Sequence, residues 1–448
     1  MLAETLQAEV VHEIASLVGM QTVEELDFEA LESAARQRAL RVAARLIEHQ
    51  LNADHSDHAG PWLACPCGQS ARYVDRRSKR FHSVLGELRL ERAYYHCATC
   101  GQGFCPRDRT LGVAATSLSP AVLRMIGAVG ALVSFQEGSE LLRELAGLQV
   151  DAKQVERAAE ALGAEVAADE RCDLEPLETG PVAATLYVGL DGTGIPLRAS
   201  ELAGRPGKQA DGSAKTREVK LVTIWSAESR DAEGVPTRDA GSVSYSAAIE
   251  SAAMLDTDGQ RSAFGERVER EATRRRFLQA PRQVVLGDGA PWIWNIASEL
   301  FPDAIQIVDR FHAKEHLTFV ANQLYGQGSA RASQWALQRL QELDAGDACA
   351  LLHALQRHRG KSDEARKCID YIQRNRDRMR YPTFRDQSLC TSTGVVEAGC
   401  KVAIGTRLKR AGMHWTLRGS NAIIALRCCR LSGRFESFWE RRSLRRAA

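Results

Sequence analysis

The sequence predicts an α+β, mixed multidomain protein, on three observations. Short apolar runs that end in acidic or glycine-rich turns cluster between Thr185 and Val308. Long polar stretches on both sides of that cluster carry helical periodicity, and two cysteine pairs bracket a short alternating segment near the N-terminus. Six regions follow from this: an N-terminal helical region (1–58), a zinc-ribbon-like module (59–110), a helical, helix-turn-helix-like module (111–180), the first part of a mixed-sheet core flanked by helices (181–320), an all-helical insertion (321–388), and a segment that completes the core and ends in a basic region (389–448).

Within 1–58, Leu26, Leu31, Leu40, Leu46, Ile47 and Leu51 approximate a helical stripe with Arg36, Arg38, Arg41 and Arg45 interleaved. Such a helix serves either as a dimerisation arm or as a helix packed on the body.

The second region holds Cys65-Pro66-Cys67-Gly68 and, thirty residues on, Cys97-Ala98-Thr99-Cys100-Gly101. Two cysteine pairs, each closed by glycine, form the knuckles of a zinc ribbon, with four thiolates converging on a tetrahedral Zn²⁺. The first pair has one intervening residue instead of two, so His96 and Cys105 stand as alternative ligands to Cys67. Between the pairs, Arg80–Arg92 alternates around a turn as a β-hairpin does. Arg76, Arg77, Lys79 and Arg80 on that hairpin are candidates for backbone contact with DNA.

In the third region Ser119-Pro120 is a helix N-cap and first-turn pair, and Glu140–Ala146 reads as a helix closed by Gly147. Asp151 caps a following helix over Ala152–Leu162. Two helices around a tight glycine turn suit a helix-turn-helix, although a plain helical spacer has the same pattern. The former places Lys153, Gln154 and Arg157 outward for base contact, with Val155, Ala158 and Leu162 inward.

The core is expected to run strand (Thr185–Leu190), second strand (near Ile195–Arg198), polar glycine-rich loop (Gly204–Ser213) and third strand (Glu218–Trp225). Helices should follow to about Ala280, then strand Gln283–Leu286, helix Trp292–Leu300 and strand Ala304–Val308. Such a mixed sheet gathers reactive groups at the carboxyl ends of its strands, where Asp191 and Asp288 fall. Glu397 sits in the first turn of a late helix, after Thr391-Ser392-Thr393-Gly394. Two strand-end aspartates and a helical glutamate can hold two divalent ions, and carboxylates suit Mg²⁺ or Mn²⁺. A single such aspartate also serves as an ordinary turn or helix cap.

The chain carries 448 residues and a net charge of +2, unevenly spread. Lys401–Ala448 has twelve Lys and Arg against two Glu, and Pro61–Thr110 has nine basic residues against four acidic ones. Localised basic surface on a near-neutral protein fits a polyanionic partner. Twelve cysteines in a chain this long point to metal binding and not to a disulfide framework. No apolar run reaches the roughly 18 residues of a membrane span. Met1–Thr5 lacks the features of a signal peptide. A cytoplasmic, nucleoid-associated location without membrane contact is expected.

In this order the motifs resemble DDE transposases with an RNase H-like core, specifically the ISKra-type transposases of bacterial insertion sequences. The resemblance rests on Gly189–Gly194, Lys215–Lys220, Gly287-Asp288-Gly289, Asp309-Arg310-Phe311-His312, Val396–Lys401 and Arg407–Trp415. It runs from the cysteine pairs to the C-terminus. It implies that Asp191, Asp288 and Glu397 form a catalytic triad holding two Mg²⁺ or Mn²⁺, with Asp309 and His312 in support. It also implies binding to double-stranded DNA, both terminal inverted repeats and target, by a homo-oligomer. The reaction would be cleavage followed by strand transfer, without a covalent enzyme intermediate. Lys401, Arg407 and Lys409 become candidates for phosphate contact; Trp292, Trp335 and Trp415 are either base-stacking or core residues. Two other functions share these residues: a domesticated DNA-binding regulator, and a structure-specific nuclease of the same fold.

Overall fold

The computed structural model describes residues 7–8, 10–15, 27–174, 176, 180–207, 209, 212, 214–253, 261–392 and 394–447. Met1–Thr5, Leu26 of the first stripe, Thr393 of the glutamate motif and part of the Gly204–Ser213 loop lie outside the described residues. The chain divides into two compact units, Met1–Ala159 with Trp439–Ala448, and Glu160–Phe438.

The first unit contains helix α1 (Phe28–Ala53), preceded by helical residues at 7–8 and 10–15, and a four-stranded antiparallel sheet in the order β1 (Trp62–Ala64), β2 (Ser70–Ser83), β3 (Gly86–His96), β4 (Gly103–Phe104). The β2–β3 hairpin closes between Ser83 and Gly86, with φ of 115° at Gly86, a conformation that a side chain would strain. Phe81, Leu88 and Leu90 alternate inward onto Ala44 and Val113. Asn52 fastens the end of α1 to β3: its amide donates to Arg89 O at 2.9 Å and its carbonyl accepts from Glu91 N at 2.8 Å.

Helices α2 (Pro120–Leu132), α3 (Phe135–Ala146) and α4 (Ala152–Cys172) follow. Ser119 caps α2, and Ser134 with Glu137 forms a reciprocal capping box on α3. Gly147, at φ 70°, ends α3 by returning its N–H to Arg143 O. The helices pack closely because glycine lines their crossings. A β-carbon on Gly130 would lie 2.7 Å from that of Ala159, and one on Gly138 3.1 Å from Val129. On α4 the buried stripe is Val155, Ala159 and Leu162. The expected Ala158 is only half-buried, because the i, i+4 spacing from Val155 selects Ala159.

The second unit is built on a five-stranded sheet among the described residues. It comprises β5 (Thr185–Pro196), β6 (Thr216–Ser226), β7 (Ser244–Ala248), β8 (Arg282–Gly287) and β9 (Ile305–Val308), in the spatial order β9-β8-β5-β6-β7. β5, β6 and β7 form an antiparallel meander, while β8 and β9 run parallel to β5. Two expectations are corrected here. The separate strand near Ile195–Arg198 does not exist; β5 passes unbroken through Gly192-Thr193-Gly194. These glycines make room for β6: a β-carbon on Gly192 would lie 2.5 Å from Glu218 Oε1, and one on Gly194 2.9 Å from Thr216 Oγ1. Among the described residues, the segment expected to be helical up to Ala280 contains a short two-stranded ribbon (Ser229–Arg230 with Pro236–Thr237), β7 and one longer helix, α5 (Ala263–Arg274). β7 escapes sequence reading because Ser244-Tyr245-Ser246-Ala247-Ala248 is weakly apolar, yet all five residues are buried.

Helices α6 (Pro291–Leu300) and α7 (Arg310–Tyr325) follow β8 and β9. Next come α8 (Ala330–Asp344), α9 (Ala348–Gln356), α10 (Asp363–Asn375) and α11 (Tyr381–Asp386), with no strand among them. α12 (Gly394–Gly399) runs into a π turn over Cys400–Gly405, and α13 (Leu417–Leu431) comes after it. One apolar core joins the sheet to its helices, with Tyr187 and Trp225 stacked at 5.3 Å between ring centroids. Each large side chain so buried contributes about 1.5–3 kcal/mol.

Candidate functional site

β5, β8 and β9 are adjacent and parallel, and their register is in step: Leu190 pairs with Gly287, and Gly287 with Val308. The next residue on each is an aspartate. Asp191, Asp288 and Asp309 therefore stand side by side on neighbouring strands, Asp288 and Asp309 just past the carboxyl ends of β8 and β9 and Asp191 within β5, which runs on to Pro196, about 4.8 Å apart from strand to strand. The resemblance implies a supporting role for Asp309; the register puts it in the same row as the other two.

Each aspartate is held locally. Asp191 accepts from Gly192 N at 2.6 Å and from the Cys400 thiol. Asp288 accepts from Ala290 N at 2.8 Å. Asp309, fully buried, caps α7 through Phe311 N at 2.7 Å and pairs with His312 Nδ1 at 3.1 Å. The helical segment 321–388 grips the same strand ends. Tyr371 Oη donates to Asp288 O at 2.9 Å, and Tyr381 Oη to Val308 O at 3.0 Å. Gly289, at φ 98°, has no room for a β-carbon against the Tyr371 ring. Neither tyrosine carries a sequence signal of this role, and Cys400 enters the sequence reading only as a member of the Val396–Lys401 motif.

α12 brings in the glutamate. It lies on the sheet at Gly189 and Gly399, where a β-carbon would meet Val396 and Trp225 in one case and Leu221, Thr223 and Tyr245 in the other. Glu397 projects to 3.9 Å from His312 Nδ1, and ligand atoms of Asp309, His312 and Glu397 all fall within 4.8 Å of one another.

The charges are crowded. Burial raises the Asp191 carboxyl above its ordinary range, and the neighbouring Asp288 adds to the rise. Burial also raises Glu397, with Asp309, Glu315 and Asp191 adding to it. The hydrogen bond to Asp309 lifts His312 to about 9. Half-desolvated carboxylates that repel one another are a donor set suited to a divalent cation, and their hard oxygens fit Mg²⁺ or Mn²⁺.

The hairpin end of the first unit presents a second donor set. Cys65 Sγ lies 3.6 Å from Cys100 Sγ, and Cys67 Sγ 3.7 Å from Cys97 Sγ, with all four thiols within 4.8 Å. Four sulfurs at about 2.3 Å around one tetrahedral zinc are about 3.8 Å apart, so the spacing fits the ion. Gly68 (φ 84°) and Gly101 (φ 71°) close the two knuckles, so the shortened first pair still turns. Neither His96 nor Cys105 belongs to this group. Backbone N–H groups of the second knuckle, Cys100 first, hold the Cys97 thiol down to about 6, while Cys65 and Cys100 stand raised beside it, so without metal the cluster forms its thiolate first at Cys97.

The candidate DNA contacts separate into distinct sets. Arg407 is fully buried against Trp415, at 5.1 Å, and is withdrawn as a surface contact. Trp415 is itself buried, its indole N–H given to Leu408 O at 3.0 Å, while Trp292 and Trp335 pack at the edge of the core. Arg76 turns inward to the buried Asp57 at 2.9 Å and to Glu91 O at 2.8 Å. Arg77 lies over the Tyr94 ring at 3.4 Å, Lys79 donates to Thr116 O at 3.0 Å, and Arg80 is exposed. Gln154 is engaged in a reciprocal cap, donating its N–H to Asp151 Oδ1 at 2.8 Å and accepting from Asp151 N at 3.2 Å. Lys153 pairs with Glu156 at 2.7 Å, and Arg157 is exposed. Lys401 is exposed at the π turn, and Lys409 donates to Thr193 Oγ1, two residues past Asp191.

Among the described residues no helix is long and apolar enough to cross a membrane. The model of the uncharacterised protein family UPF0236 matches residues 21–442. Among curated proteins no sequence matches. Among solved structures the chain is similar to a Drosophila P element transposase strand transfer complex, at 10% identity, covering 75% of this chain and 84% of that one, with a TM-score of 0.25.

Proposed function

The chain belongs to this uncharacterised family, UPF0236, and we propose that it is a DDE-type transposase that cuts and rejoins DNA strands with divalent metal. The single observation that carries the reading is the register-matched row of Asp191, Asp288 and Asp309, with Glu397 and His312 set against it. The strand order, an antiparallel meander followed by two parallel strands on the other side of its first strand, supports an RNase H-like core. We assign Asp191, Asp288 and Glu397 as the catalytic triad and Asp309 with His312 as its support.

Two bound Mg²⁺ or Mn²⁺ ions would supply activation of the attacking oxygen and neutralisation of the leaving one. The protein supplies position. Strand ends and the two tyrosine hydroxyls fix the aspartates, Asp309 orients His312, and the glycines at 189 and 399 let α12 deliver Glu397. Lys409, tied to Thr193, puts a cation near the phosphate that would react there. The four cysteines would hold a structural zinc, giving the hairpin rigidity.

Strand transfer tests the reading. Labelled terminal-repeat duplex, supercoiled target and Mg²⁺ or Mn²⁺ should yield joined product. Cutting without joining would make the protein a nuclease of the same fold, and binding without cutting would make it a DNA-binding regulator.

A further inference from the structure

Cationic side chains continue past the aspartate row along β5. Lys409 reaches Thr193. Arg217 pairs in register with Ile195, and directly opposed residues share a face, so it lies on the Asp191 side of the sheet. Beyond the strand end, Leu197 forms the floor of a groove of about 680 Å³ whose walls include Leu202, Arg205, Lys215 and His414. That volume is within the roughly 300–1,000 Å³ of sites that take small ligands or segments of larger ones. At about 3.4 Å per strand residue, Leu197 lies about 20 Å beyond Asp191. One strand of stacked duplex advances about 3.4 Å per phosphate, so the track matches about six nucleotides.

The nearby charges favour an anion. Burial and the adjacent Arg205 guanidinium hold Arg217 below its ordinary range, against the opposing pull of Glu201. Two like charges so placed repel each other until an anion lies between them. The acids of this region have other partners: Glu218 pairs with Lys220 at 2.7 Å, and Glu201 accepts from Leu417 N at 3.3 Å. Arg205 and Lys215 remain exposed.

We propose that this groove binds the sugar–phosphate backbone of the nucleic-acid strand leading away from the reacting phosphate, with Lys409, Arg217, Arg205 and Lys215 as its phosphate contacts. The direction of the strand rests on the proposed function of the aspartate row; the affinity of the groove for nucleic acid does not.

The test uses the full chain and a fluorescein-labelled duplex, with binding followed by anisotropy between roughly 50 and 200 mM salt. Each phosphate contact adds about 0.9 to the slope of log K against log salt, so Arg205→Ala/Lys215→Ala should flatten it by about 1.8. Arg205→Lys/Lys215→Arg should restore the wild-type slope, which separates lost charge from lost folding. Identical slopes for wild type and the alanine pair overturn the proposal. So does a groove that inorganic phosphate stabilises against heat while the duplex slope stays unchanged, since that assigns it to a small anion. Metal-dependent cutting is measured on the same preparations. A flattened slope without any cutting by wild type keeps the groove and sinks the enzymatic reading. Cutting with unchanged slopes does the reverse.

Discussion

Gly189 and Val396 occupy space that only one side chain can have: a β-carbon on Gly189 would fall inside the van der Waals shell of Val396 Cγ2. Val396 is fully buried there, and the next residue is Glu397. The glycine on β5 thus determines how near the glutamate comes to Asp191, two residues along the strand.

Gly189→Ala should accordingly push α12 off the sheet. We expect a loss of about 1–3 kcal/mol, as for overpacking of a tight core, together with weaker Mn²⁺ binding by calorimetry. Thermal unfolding and metal affinity both at wild-type values would show that the contact does not position Glu397.

Freshly purified, reduced protein should retain about one zinc, the number that four thiolates satisfy. Cys97→Ser should release it and loosen the β2–β3 hairpin, with no effect on Mn²⁺ binding at the carboxylates. Elemental analysis without zinc in the wild type would contradict the four-cysteine site.

In metal-free protein the His312 imidazole should titrate at about 9 by NMR, because Asp309 accepts a hydrogen bond from its Nδ1. The sign follows from the raised value. The contribution of the pair to stability is complete below the ordinary imidazole range of about 6.5 and is lost as pH rises through about 9. Asp309→Asn should return the midpoint towards the ordinary range, and an unmoved midpoint would rule out Asp309 as the cause.

Sequence preference and general affinity should separate between the α3–α4 helix pair and the hairpin. Arg157→Ala should cost about 1–3 kcal/mol of preference for the terminal repeat over random duplex. Arg80→Ala should weaken both duplexes alike and flatten the salt dependence. Gln154→Ala should instead cost about 0.5–1.5 kcal/mol of stability through the lost hydrogen bond from Asp151 N to its side chain. Competition binding with thermal melts checks all three; a full loss of preference from Gln154→Ala at unchanged stability would mean that it reads bases.

Much of this was legible from local chemistry. Asp191 and Asp288 end unbroken apolar runs, as buried parallel strands require, and Gly147 and Asp151 mark a helix end and start. The closure of the Cys65–Cys67 knuckle, by contrast, needed the backbone at Gly68. Non-local features were hidden. The alignment of Asp309 with the other two aspartates depends on strand register, which sequence periodicity does not give. Gly192 and Gly194 read as a break because the side chains they accommodate, Glu218 and Thr216, lie on another strand. Arg407 read as surface because arginine is seldom fully buried.

On the proposed function, one carboxylate cluster performs both cutting and joining. The direct measurement is strand transfer by Asp191→Asn, Asp288→Asn and Glu397→Gln protein, with duplex binding measured on the same samples. Each variant should bind terminal-repeat DNA as wild type does and yield neither cut nor joined product in Mg²⁺ or Mn²⁺. Near-normal cutting and joining by any one of the three would remove that residue from the site and rule out the triad.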